Sequence, residues 1–551
     1  MLLVLFSTLL LLIIFTGFGL LTSKLHLQLW TNWSGLLISG IITCSLVLTG
    51  IAFFFPTTLF IEAVMVGIGL ASFLTFGGLR VVRDFYIQHE KYWITPFLFI
   101  LFASSFHPYI LDHFGYYVPT INYLNTYGIT KGVGNLDIIL AQTSLWHILQ
   151  SGFGHFIDPY FRLNSVLPIL YTIYIFEKRA WRLLLFMPLF YLFVSSPSPD
   201  LPVLVLSLIA LNELLSDKKD PAKILVLSTF VFCIKPTLIW LPLLAFIWCI
   251  VQKKWSLKSL GITVAVAALF IVKNYITFGF PIIPVDIGDL DLAWKPHPVI
   301  LKESSETAIL KTYDFQYTIH DIRNFSTSDY IINWFTLKGI KSKIHLLFIL
   351  SLLAFSIYTW IQKNKFIRWL WVTIMFKSIL VLVFSAQYRF FLDVFLVIGF
   401  LLTERLNRKY SVFCFYIFSM GVLGSISFPQ VIQRWLPSFN LGHYMKSFQI
   451  DQVYRPGNYV RDRYHTYQIG NLKFNISEAY PFIFDTPAPS ISPVHLEDYL
   501  KLKSFPQYRD STQLKSGFIL SPINEKDQQK LRSIIKNWKE SYPSKTTNFS
   551  N

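Results

Sequence analysis

Several residues of this chain are of a type, and in a place, that could do chemistry. Residues 107–128 read HPYILDHFGYYVPTINYLNTYG, which sets Asp112 at the end of an apolar run and follows it with His113, Tyr116 and Tyr117. Two cations are as oddly placed: Lys235 in FCIKPTLIW and Arg389 in SAQYRFFLD each stand alone at the end of an apolar segment. A charge at a membrane boundary costs up to roughly a few kcal/mol unless something offsets it, so each is a candidate functional residue. An anion such as a lipid-linked phosphate would suit both, because guanidinium and ammonium groups are strong phosphate partners. The competing explanations are snorkelling to the headgroups or pairing with a nearby carboxylate such as Asp393.

Apolar segments must position these residues. The 551 residues are 53% hydrophobic and only 14% charged, where a soluble domain carries roughly 25% charged residues. Apolar runs recur from Met1 to about Phe428, the pattern of an all-α polytopic membrane protein with about fourteen spans. They fall near 2–22, 34–55, 58–79, 94–111, 165–178, 182–196, 201–215, 222–236, 237–252, 259–277, 345–361, 367–385, 390–403 and 411–427. The first run lacks a basic leader and a small-residue cleavage site, so it reads as a retained span.

Basic residues collect in alternate loops. One set holds Lys24; Arg80, Arg83 and Lys91; Lys178, Arg179 and Arg182; Lys218, Lys219 and Lys223; Lys253, Lys254 and Lys258; Lys363, Lys365 and Arg368; Arg405, Arg408 and Lys409. By the positive-inside rule this face is cytoplasmic. The long segments 112–164 and 278–344, the tail from 428 and both termini are then extracytoplasmic, and so is Asp112. These loops also account for the net charge of +17, and no nucleic-acid partner is expected. The four cysteines lie inside apolar runs and imply neither a disulfide framework nor a metal site.

Past Asp112, Tyr117, Val118, Ile121, Leu124 and Tyr127 follow helical spacing, and Gly128 stands where a C-cap is wanted. A second amphipathic stretch follows an Asn135 cap, with Leu136, Ile139, Leu140, Trp146 and Leu149 available to one face. Neither is long enough to span, and both read as interfacial helices on the outer leaflet. The tail, 428–551, reads as a small α/β extracytoplasmic region after a transmembrane domain of 1–427. YQIGNLKF and GFILS are strand-like, KDQQKLRSIIKNWKES is helical, and the closing SYPSKTTNFSN reads as disordered.

An extracytoplasmic first loop, opened by an Asp at a span's end and built from interfacial helices, resembles the GT-C superfamily of membrane glycosyltransferases. The local sequence also looks like a bacterial family of large membrane proteins. That family's loop runs Asp, a few residues, Tyr-His, an amphipathic turn, Tyr-Gly, then Gly-x-x-Asn-Leu-His. Here DHFGYYVPTINYLNTYGITKGVGNLD matches at Asp112, Tyr116, Tyr127, Gly128, Gly132, Asn135 and Leu136, while Tyr117 and Asp137 stand where the family has histidines. Further likeness covers SSPSPDLP, NYITFGFPIIP with the acidic stretch and Trp294 after it, and YRF at 388–390.

The resemblance implies an inverting transfer of sugar from a polyprenyl-phosphate carrier to a glycan or lipid acceptor, within membrane lipid. Asp112 would be the general base for the acceptor hydroxyl, and Lys235 and Arg389 would neutralise the leaving phosphate. Tyr116, Tyr117, Asn135, Asp137, Asp200 and Trp294 are the candidate substrate contacts. Each has a plainer reading: Asp112 as a loop-starting cap, Asp200 as a helix N-cap, the tyrosines and Trp294 as interfacial aromatics. Asp286, Asp289 and Asp291 suit a divalent cation or a solvated loop, and His107 and His113 lack the spacing of a metal set. No cofactor is certain and a divalent metal is possible. A transporter or flippase of an anionic lipid-linked substrate is the alternative from another class, a glycan polymerase the alternative within the same chemistry, and a non-catalytic assembly subunit remains open.

Overall fold

The computed structural model describes residues 1–25, 29–216, 220–435, 444–459, 463–478 and 480–541. Lys218, Lys219 and residues 542–551 of the closing segment lie outside them. The described chain is mostly helical.

The first helices are α1 (Leu2–Lys24) and α2 (Trp33–Ala52). They touch closely because Gly40 carries no side chain: a Cβ there would lie 1.8 Å from the Phe15 carbonyl oxygen. Small residues bring apolar helices into backbone contact in this way. Next, α3 (Leu59–Thr75) runs into α4 (Gly78–Gln88) across a 65° bend, and α5 (Ile94–Ser104) returns. A π-turn at His113–Tyr117 leads directly into α6 (Val118–Tyr127), and α7 (Leu145–Ser151) packs on α2 and α6.

The buried centre holds α8 (Val166–Lys178), the single turn α9 (Met187–Phe190), α10 (Asp200–Leu215) and the hairpin of α11 (Pro221–Ile234) with α12 (Trp240–Gln252). After α13 (Leu257–Thr277) comes the second large loop with α14 (Pro298–Thr312), α15 (Ile319–Arg323) and α16 (Thr327–Phe335). Then follow α17 (Lys341–Gln362), α18 (Lys365–Phe384), α19 (Leu392–Leu402), α20 (Arg408–Ser427) and the short α21 (Pro429–Trp435).

Every apolar run expected from the sequence contains helix. Six described helices (α1, α2, α13, α17, α18 and α20) are long and apolar enough to cross a membrane, and the bent α3–α4 pair makes a seventh if it is one span. The other helices at expected spans are shorter, α8 having 13 residues and α11 having 14, against the ~20 needed for about 30 Å of hydrocarbon. Helices α8, α10 and α11 are buried nearly all round. Their apolar character serves protein packing, and lipid thickness does not fix their length.

The helix ends sort into two faces. On one, Glu177 takes N–H donors at the start of α2, Lys178 pairs with Glu213, and Arg408 pairs with Glu90. This is the face of the basic loops. On the other lie the two large loops and the C-terminal region.

That region carries two antiparallel hairpins, β1 (Tyr464–Ile469) with β2 (Leu472–Ser477) and β3 (Ser504–Tyr508) with β4 (Phe518–Pro522). Two helices, α22 (Leu496–Lys501) and α23 (Glu525–Ser541), pack beside them. The YQIGNLKF stretch spans the first hairpin's turn, and GFILS contains most of β4.

The first large loop departs from expectation. Its helices do not lie on the surface: Ile121, Leu145, Trp146, Ile148 and Leu149 are fully buried. Leu145, Trp146, Ile148 and Leu149 belong to the main helical core, and the other side of the loop has a cover that the sequence did not announce. Tyr123, Tyr127, Val133, Leu136 and Leu140 share one apolar cluster with Ile469, Phe474, Phe505 and Phe518 of the C-terminal region. The second stretch is also broken, into a 3-10 turn at Ile138–Gln142 and α7, and its cap is Asp137, whose side chain accepts from the Ile139 N–H, not Asn135.

Candidate active site at the helix tips

Four helix ends on the face of the large loops bring Asp112, Asp200, Lys235 and Arg389 together. Asp112 immediately precedes the π-turn; such turns are rare and occur often at functional sites. Asp200 opens α10. Lys235 is the extended residue at the tip of the α11–α12 hairpin, where Pro236 stops the helix. Arg389 sits in the 3-10 turn Tyr388–Phe391 between α18 and α19.

The residues form a chain of contacts. Arg389 donates from one terminal nitrogen to Asp112 Oδ2 at 2.9 Å. Lys235 donates to Asp200 Oδ1. The two cations share the Phe390 ring, with Lys235 Nζ 5.4 Å and the Arg389 guanidinium carbon 5.1 Å from its centroid. Asp200 Oδ2 accepts from Ser198 Oγ at 3.3 Å, and that hydroxyl also meets the Tyr117 hydroxyl at 3.3 Å. Tyr116 packs on Tyr117, ring centroids 4.7 Å apart, and both rings lie against His147. Burial, then the carboxylates of Asp112 and Asp200, push both phenols well above their ordinary range, so both stay neutral.

The cluster is half-open. Arg389 and Asp112 keep 38% and 34% of their side-chain surface accessible, whereas Lys235 and Asp200 keep 17% each. Arg389 Nε is buried without a partner, so the guanidinium holds a spare donor. Lys311, near the end of α14, comes within electrostatic reach of Arg389 and Asp112. Burial, then the neighbouring Arg389, lowers the pKa of the Lys311 ammonium, and Asp112 opposes them.

Its supports come from all around. Asn164 donates to the Phe193 and Ser198 carbonyls and accepts from Trp146, fixing the SSPSP segment before Asp200. Ser144 at the start of α7 donates to the Ile234 carbonyl beside Lys235. Beneath the Arg389 turn, Lys377 donates to the Phe390 carbonyl and to Asp393, which also accepts from Trp240 Nε1. Arg389 therefore does not pair with Asp393, as its neighbourhood in sequence had suggested, because that carboxylate is already taken.

The chain belongs to the family described as Domain of unknown function (DUF8201). The family model matches residues 1–396, so it spans all four helix tips and stops short of the C-terminal region. No curated protein and no solved structure matches the chain.

The remaining candidates of this DUF8201 member lie elsewhere. Asn135 is buried and donates to the Trp294 and Phe518 carbonyls, joining the first loop, the second loop and β4. Asp137 is buried against His495 of the C-terminal region, 3.4 Å away. Trp294 donates to the Tyr275 carbonyl and lies under Lys131 and Arg509. Gly132 is held at φ +59 with the Phe518 carbonyl and the Trp294 Cβ where a side chain would go. The structure sets Asn135, Asp137 and Trp294 in a joint between the two large loops and the C-terminal region, apart from the contacts of the Asp112 cluster.

Asp289 and Asp291 both pair with Lys295. Among the described residues no group of three or more His, Cys, Asp or Glu comes together to hold a metal ion. His107 meets Gln452, and His113 is buried beside Phe114. Sequence reasoning missed His147, Ser198, Lys311 and Lys377. For Lys377 a signal existed, a lone lysine inside WVTIMFKSILVLVF.

Proposed function

We propose that this chain is a membrane glycosyltransferase of the GT-C type, acting at the helix-tip cluster on the face opposite the basic loops. That face is the extracytoplasmic side of a bacterial inner membrane. The donor is a sugar on a polyprenyl phosphate, and the acceptor is a hydroxyl of a glycan or lipid. Asp112 takes the acceptor proton as its oxygen bonds to the anomeric carbon. The bond from that carbon to the carrier phosphate breaks, and the phosphate leaves with the electron pair. Arg389 and Lys235 stabilise the charge that develops on it. One base and in-line displacement give inversion.

The observation that carries this reading is the meeting of a half-open carboxylate with two cations around one aromatic ring, at the tips of helices. A carrier lipid in the membrane would bring its phosphate to this depth. The test is an Asp112→Asn replacement with protein level checked, followed by glycan profiling and measurement of lipid-linked sugars. Lost transfer with accumulating donor is expected. Unchanged glycans, in a background where deletion changes them, would remove the base assignment.

A second reading, transport or flipping of an anionic lipid-linked substrate, draws on the ion pair of Lys377 and Asp393, buried within the helical body. It predicts that Asp112→Asn leaves bond formation intact and alters only the sidedness of the lipid-linked sugar.

A further inference from the structure

Both cations that would receive the phosphate are already engaged, each by a carboxylate of the same site. Arg389 is bridged to Asp112 and Lys235 to Asp200. While Asp112 Oδ2 accepts from Arg389, that oxygen's lone pair is occupied and is not free to take an acceptor proton. A guanidinium bridged to a carboxylate is correspondingly a weakened phosphate site. The bridged arrangement is thus good for neither of the two jobs that its residues would have.

We propose that the two bridges are latches that a phosphate ester opens. The donor's phosphate, a diester with one negative charge, competes with the carboxylates for Arg389 and Lys235, as does the monoester left on the carrier after transfer; the two cations flank the same ring and can close on one anion. As Arg389 turns to it, the buried Nε donor gains a partner and Asp112 loses its bridge. Asp112 then becomes a competent base only when the donor phosphate is in place.

The consequence is order. Donor binds first, and an acceptor entering an empty site meets a carboxylate held by its bridge. This also guards a half-open site, because water that reaches Asp112 without donor finds no activated base and no sugar. The proposal rests on the phosphate-site reading above, and its test separates the two.

The test is binding of farnesyl phosphate, with farnesol and inorganic phosphate as comparisons, to the purified full chain in zwitterionic-lipid nanodiscs. If a bridge must open before the anion binds, apparent affinity is reduced by the fraction of open state. Removing the carboxylate removes that penalty. Asp112→Asn is therefore expected to tighten farnesyl phosphate binding by about fivefold or more, and Arg389→Gln to weaken it by about tenfold or more. The double variant is expected to match Arg389→Gln alone. Asp200→Asn carries the same expectation through Lys235, should Asp112→Asn fail to give monodisperse protein.

Equal or weaker binding by the carboxylate variants overturns the latch while leaving the phosphate site standing. No binding of farnesyl phosphate by the wild-type chain overturns the functional reading itself. Binding of inorganic phosphate as tight as farnesyl phosphate would identify a free-anion site, and would overturn the lipid-carrier reading but not the latch.

Discussion

Lys377 of α18 and Asp393 of α19 meet at 2.7 Å with 1% and 5% of their side chains exposed, directly beneath the turn that presents Arg389. The pair fixes that turn, since Lys377 also donates to the Phe390 carbonyl and Trp240 holds the other carboxylate oxygen. A buried pair is weak evidence of net stabilisation, but breaking one strands a charge in a dry interior at about 3–5 kcal/mol. Lys377→Met and Asp393→Leu are each expected to lower the unfolding temperature in detergent. The double variant is expected to regain most of the loss, while the Arg389 turn, no longer braced, binds farnesyl phosphate more weakly than wild type.

Arg389 is expected to resist conservative replacement. Its guanidinium reaches Asp112 through one terminal nitrogen, lies over Phe390, and keeps Nε spare. A lysine supplies one point charge and cannot present two donors in a plane. Arg389→Lys should therefore lose roughly tenfold or more in transfer rate, a difference of about 1.4 kcal/mol in barrier. Lys235→Arg should be milder, because Lys235 acts at one point. Single-turnover assay of both variants on the same donor preparation checks the ranking. Equal losses would contradict it.

What the sequence disclosed follows from which interactions are local. Asp112, Lys235 and Arg389 were legible as charges that ended apolar runs, and the structure places all three at helix tips on one face. Their partners were not legible. Arg389 reaches across 277 positions to Asp112 instead of to Asp393 on its own next turn, and that choice depends on Lys377, which arrives from another helix. Helical periodicity found α6 and its stop at Gly128. It could not tell whether the apolar side of α6 met lipid or protein, because both reward the same pattern. The residues of the Gly-x-x-Asn-Leu stretch drew attention as site candidates, but Gly132 and Asn135 serve a joint whose other half, Phe518, lies far along the chain. Of the fourteen apolar runs, six or seven are helices of membrane-crossing length among the described residues, and the rest are shorter, since interior packing and lipid both select apolar residues.

The joint should respond to pH. His495 sits between Asp137 and Asp498. Burial disfavours its charge, but the two carboxylates together outweigh burial and hold it up to about 10, from an ordinary 6.5. A folded-state value above the unfolded one gives stabilisation that is fully present below about 6.5 and is lost as pH rises through about 10. The stability advantage of wild type over His495→Gln is therefore expected to shrink steadily across that window. Thermal unfolding of both proteins at matched ionic strength measures it. An advantage that grew with pH would show that the imidazole is neutral in the joint.

Asn135 offers the sharpest separation of scaffold from site. Its amide donates to carbonyls of Trp294 and Phe518, from two other segments, and is fully buried. Asn135→Ala leaves both acceptors short of a donor, at about 1–3 kcal/mol for each group left unsatisfied. Nothing in that arrangement reaches the Asp112 cluster, whose support comes from Asn164, Ser144 and Lys377. The expected outcome is a C-terminal region that docks less firmly, read as faster limited proteolysis between 464 and 522. Farnesyl phosphate affinity is expected to stay within about twofold of wild type, since distant independent sites show little coupling. A variant that kept its protease resistance but lost the ligand would return Asn135 to the binding site.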